Sequence, residues 1–160
     1  MNPLNLILGI LGVALSLVAF FAVVGALFAN RVSRTQSIIE AMPGRSFTVG
    51  LVNLVFFGTV TLVFFSLSER LHGGGMRLLG VIFLAALSIG VAFGLTAMAE
   101  VLGARIRDQA VGLARTAWGT ILLALACALP FIGWFVLLPY AASLGLGGFI
   151  LSLFSRPTEA

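Results

Sequence analysis

The chain has 160 residues, 61% hydrophobic and 9% charged, with a formal net charge of +4 and a mean hydropathy of +1.19. A soluble globular domain carries roughly a quarter charged residues, so this composition excludes one and points to an all-α bundle in a bilayer. The pI near 11.1 does not indicate a nucleic-acid partner, because the nine basic residues, all arginine, are scattered over connectors rather than gathered in a stripe.

Four charge-free apolar blocks organise the chain: Pro3 to Asn30, Phe47 to Ser68, Leu78 to Ala99 and Thr116 to Ser155. A run of about 18 such residues can cross the ~30 Å hydrocarbon core as a helix. The first block starts without side-chain charge and stays apolar to Ala29. It is expected to be a retained span rather than a signal peptide, which has a basic start and an apolar core of about 7–15 residues.

RVSRTQSIIEAM, residues 31–42, places Ile38, Ile39 and Met42 on one side of a helical turn, before Pro43-Gly44 breaks it. The expectation is a short interfacial helix on the inner leaflet with Arg31 and Arg34 on anionic headgroups; the alternative is a solvated loop. In the second block Asn53, Thr59 and Thr61 are candidates for hydrogen bonds between helices. Leu71-His72-Gly73-Gly74-Gly75 reads as a turn, and His72 lacks the partners that metal binding needs.

The third block ends at Glu100, the nearest case to an ionisable group in a span. Arg105 and Arg107 lie within its reach, so an interfacial salt bridge is expected ahead of proton or ion coupling. Small residues mark packing faces: Gly90-x-x-x-Gly94, Gly12-x-x-x-Ser16 and Ala141-x-x-x-Gly145 allow close backbone approach, either within the bundle or to a partner.

The fourth block, forty residues long, would make a helix of about 60 Å, twice the hydrocarbon thickness. Pro130 and Gly133 are expected to fold it into a hairpin, with Thr116 to Leu129 borrowing Val111 to Arg115 to complete a span or else remaining re-entrant. Cys127 sits mid-span as a small hydrophobe. Gly145-Leu146-Gly147-Gly148 lacks the Lys and Ser or Thr of a phosphate loop, which rejects nucleotide binding.

These readings give five membrane segments at about 4–29, 47–67, 78–101, 112–129 and 134–154, with the interfacial helix at about 31–42. Four segments are the alternative. The five-segment arrangement leaves seven of nine arginines on one side, so the positive-inside rule puts the N-terminus outside and the C-terminus in the cytoplasm.

The order of an interfacial segment, PGRSFTVGL at Pro43 to Leu51, two spans, EVLGARI at Glu100 to Ile106, an Arg115-led span, and LPFIGWFVLL to SLGLGGFIL at Leu129 to Leu151 resembles the membrane domain attached to bacterial bactofilin-type polymer-forming proteins. It covers about residues 31–155, without the β-helical polymerising domain. The resemblance implies a bacterial membrane anchor or partner module rather than a filament former. The favoured function is thus a non-enzymatic anchor, scaffold or accessory subunit of the inner membrane, without cofactor, its partners the lipid bilayer and other membrane subunits or further copies. A small channel or permease, with Pro130, Pro139 and Gly145 to Gly148 breaking a helix along a cavity, is the alternative. A membrane enzyme ranks third, for want of a base or metal cluster.

Overall fold

The computed structural model describes residues 3–71, 74–106, 113–128 and 131–154. All regular structure there is helical: α1 (Pro3–Leu27), α2 (Ala29–Ala41), α3 (Pro43–Leu71), α4 (Gly74–Ile106), α5 (Leu113–Ala128) and α6 (Leu138–Phe154). His72, Arg107 and Pro130, each singled out from the sequence, lie outside the described residues.

By length and composition three helices are suited to cross a membrane alone: Pro43–Glu69, Gly74–Ile106 and Gly133–Phe154. A fourth span arises if Leu15–Leu27 and Ala29–Ala41, bent by 100°, count as one. The apolar helix Ala114–Cys127 is about 21 Å long, shorter than the hydrocarbon core.

The bend between α1 and α2 falls where the apolar run gives way to the polar RVSRTQ segment, so the chain turns at Phe28 rather than carry arginines along the axis of α1. The face of α2 that is buried comprises Val32, Thr35 and Ile39, an i, i+3, i+7 stripe. Ile38 is only half-buried and Met42 is exposed. The stripe packs on α4 and α6, so the bundle, and not lipid, takes the apolar side of this helix. Pro43 opens α3, where its missing N–H is one that the helix leaves unpaired anyway.

Helix α4 touches each of the other five. α5 packs on α4 and α1, whereas α6 packs on α3, α4 and α2. The two arms of the hairpin expected from the sequence thus share α4 but differ in their other neighbours, α1 for α5 and α2 and α3 for α6. Leu138 N–H reaches back five residues to Gly133 O, a π-helical turn over Gly133–Leu137 placed just before Pro139, which has no amide of its own to donate. The chain enters that turn through Phe131, at φ 69°.

The interior is made of small and weakly polar side chains: Thr35, Ser46, Thr96, Thr120 and Ser143 are fully buried beside Ala97 and Ala99. Large apolar residues such as Leu62, Leu78, Phe135 and Phe154 face outward. That inversion suits a solvent of lipid, which gives helices no hydrophobic drive to associate and leaves close packing to hold them.

Candidate functional site

Three glycine contacts fix the relative positions of the helices. On α3 and α6, a Cβ added to Gly50 would lie 1.7 Å from Ser143 O, and one added to Gly147 would lie 1.7 Å from Ser46 O. Ser46-x-x-x-Gly50 and Ser143-x-x-x-Gly147 thus interlock backbone to backbone. On α4 and α6, Gly94 meets Gly145, the added Cβ atoms falling 2.2 and 2.4 Å from the facing carbonyl carbons, and Gly90 is covered by Leu146. On α4 and α5, a Cβ added to Gly119 would lie 1.8 Å from Ala99 O, and one added to Gly103 would lie 2.1 Å from Arg115 O.

The small residues singled out from the sequence are distributed over these contacts. Gly90, Gly94 and Gly145 lie at the α4–α6 crossing, and Ala141 joins Phe21 and Leu123 in a separate apolar cluster. Gly145 to Gly148 are all buried within unbroken α6, Gly148 against Ile39 of α2. Gly12 of the Gly12-x-x-x-Ser16 pattern meets nothing. Gly133 is wedged against the Ala126 and Cys127 carbonyls. Arg31 and Arg34 lie on the exposed side of α2. Asn53 donates to Val49 O of its own helix at 2.8 Å, not across the bundle.

The α4–α5 contact sets a register that brings Glu100 beside the first turn of α5. Its carboxylate Oε2 lies 3.6 Å from Arg115 Nε, Thr116 Oγ1 donates to Oε1, and Arg115 Nε also donates to Glu100 O at 3.3 Å. The side chains are 16% and 31% exposed, so the pair is partly withdrawn from solvent. Among the described residues Arg115, rather than the exposed Arg105, pairs with Glu100; Arg107, the other expected partner, lies outside them. The 100° bend between α1 and α2 leaves a cleft of about 370 Å³ over this pair. Ala22, Gly25, Ala26, Ala29 and Val32 form an apolar wall, and Ser33, Gln36, Glu100, Arg115 and Thr116 a polar one.

A second hollow of about 270 Å³ lies between α3, α4 and α6, lined by apolar side chains with Asn53 at its edge. Near α2, Thr35 Oγ1 donates to Arg31 O at 2.9 Å and sits 3.4 Å from Ser152 Oγ. Among the described residues no group of three or more His, Cys, Asp or Glu is placed to hold a metal ion.

Sequence reading passed over Ser46, Gly50, Ser143, Gly103 and Gly119, although all but Gly119 stand in small-x-x-x-small patterns, and it met Gly147 only in the Gly145 to Gly148 cluster. It also passed over Ser33 and Gln36, which only the bend at Phe28 brings to the cleft. No family model matches the chain, and neither a curated protein nor a solved structure shows significant similarity to it.

Proposed function

We propose that this chain is a non-enzymatic integral membrane protein serving as an anchor, scaffold or accessory subunit of an assembly in the bacterial cytoplasmic membrane. Five membrane segments, an outside N-terminus and a cytoplasmic C-terminus are part of the reading. The observation that carries it is the pairing of Glu100 with Arg115 and Thr116. A carboxylate held by a cation and a hydroxyl at a helix junction stabilises a contact, whereas a coupling carboxylate must be released to exchange its proton or ion. The tight backbone contacts of Gly50, Gly94 and Gly147 support the same reading, since they fill the α6 crossings with protein. The resemblance read from the sequence of residues 31–155 to bactofilin-type membrane domains is part of this proposal and would fit the anchoring role.

Reconstitution in liposomes tests this function. The purified protein is expected to give no ion conductance and no proton-coupled uptake, and Glu100→Gln is expected to lower stability by about 1 kcal/mol without creating or abolishing a flux. A reproducible flux that Glu100→Gln abolishes would overturn the anchor reading in favour of a small permease.

A further inference from the structure

We infer that the cleft over the Glu100–Arg115 pair binds a zwitterion carrying a phosphate and a primary ammonium, supplied by a phosphoethanolamine lipid of the surrounding leaflet. The inference goes beyond the anchoring role and requires only that the bundle sits in a bilayer.

The charges come first. Arg115 Nε lies 3.6 Å from Glu100 Oε2 and donates to Glu100 O, and neither Nη of Arg115 makes a hydrogen bond among the described residues. A purely anionic headgroup that reached those Nη groups would meet the Glu100 carboxylate. A purely cationic one that reached the carboxylate would meet the guanidinium. A ligand bearing both charges places phosphate on the guanidinium, which matches it in bidentate fashion, and on the carboxylate an ammonium whose N–H groups donate to it, as a quaternary ammonium cannot. Ser33 and Gln36 line the same polar wall and carry neutral donors for the remaining phosphate oxygens.

Position then selects a lipid as the source. The charge-free run of α4, Leu78 to Ala99, is about 33 Å long and matches the ~30 Å hydrocarbon core. Glu100 follows it directly, at the depth of lipid phosphates. The cleft is half-open, and its opposite wall is the alanine and glycine face of α1, an apolar surface on which the glycerol backbone and first methylenes of a lipid can lie. Its volume of about 370 Å³ falls in the range of small-ligand sites, about 300–1,000 Å³.

The space can also be filled without touching the ion pair. A Cβ added to Gly25 would stand 3.7 Å from Thr96 Cγ2 and 3.8 Å from Glu100 Oε1, ordinary contact distances. Ala26, exposed on the same wall, accepts a larger side chain.

The test is lipid retention in native mass spectrometry, after exchange from nanodiscs containing equal parts phosphatidylethanolamine, phosphatidylglycerol and phosphatidylcholine. The wild-type chain is expected to retain phosphatidylethanolamine about tenfold over the other two. Ala26→Trp is expected to lose that preference while keeping the lipid-free melting temperature and helix content. Arg115→Leu should lose it too, and Arg115→Lys should keep part of it. Equal retention of the three lipids, or a preference untouched by Ala26→Trp, would overturn the inference. Displacement of the lipid by equimolar soluble glycerophosphoethanolamine would overturn the lipid as the source.

Discussion

Replacing Gly147 with alanine adds one methyl group at the tightest point of the bundle. Its Cβ would fall 1.7 Å from Ser46 O, 2.6 Å from Ser46 C and 2.7 Å from Gly50 N, all backbone atoms that no rotamer change can move. Ordinary contact requires over 3 Å, so α3 and α6 must separate by more than an ångström, which breaks the reciprocal Gly50–Ser143 contact as well. Overpacking of this kind costs about 1–3 kcal/mol, and rigid backbone on the far side places Gly147→Ala at the upper end. About 3 kcal/mol corresponds to roughly a hundredfold loss in the folded ratio. Gly58, on α3 with nothing within 4 Å of an added Cβ, provides the control: alanine there is neutral or stabilises by about 0.5–1 kcal/mol through helix propensity. Reversible unfolding in mixed detergent micelles measures both. The Gly50→Ala, Gly147→Ala double variant should cost less than the sum of its parts, because one displacement relieves both clashes. A Gly147→Ala variant as stable as Gly58→Ala would refute the interlocked α3–α6 contact.

Gly133→Ala drives a Cβ to 2.6 Å from both the Ala126 and Cys127 carbonyl oxygens; a loss of about 1–3 kcal/mol is expected in the same unfolding assay. Phe131 holds φ at 69° with its side chain 77% exposed, so Phe131→Gly should gain about 1 kcal/mol of backbone relief, read as a raised melting temperature. For topology, a Thr158→Cys substitution in a Cys127→Ala background should be labelled by an impermeant thiol reagent only after the membrane is opened. Labelling of intact cells would place the C-terminus outside.

Helices were the most legible part of the chain, because the apolar blocks and the break at Pro43-Gly44 depend on composition and local backbone chemistry alone. Which face of α2 is buried was not legible. Its amphipathic stripe fits either lipid or a neighbouring helix, and lipid tails are as apolar as leucine. The pairing of Glu100 with Arg115 was not legible for a related reason: fifteen residues separate the two, and the Gly119–Ala99 and Gly103–Arg115 backbone contacts set the register that joins them. The different neighbours of α5 and α6 beyond α4 follow from the same cause. Each goes where its glycines find a facing small residue, a pairing of two surfaces that no single helix encodes.

The interlock of α3 with α6 also has a bearing on how the chain is made. Gly50 and Gly147 are ninety-seven residues apart in sequence, an interval that a ribosome covers in about 5–20 seconds. Throughout that time α3 can already be in the bilayer with its Ser46–Gly50 groove uncovered. Any helix that presents a small-residue face, from a second nascent copy or from the insertion machinery, can occupy the groove before α6 arrives. The feature that makes the finished bundle tight therefore makes its assembly sensitive to the order and rate of insertion. Slow synthesis between residues 71 and 138 should increase misassembled chains without altering the stability of those that fold.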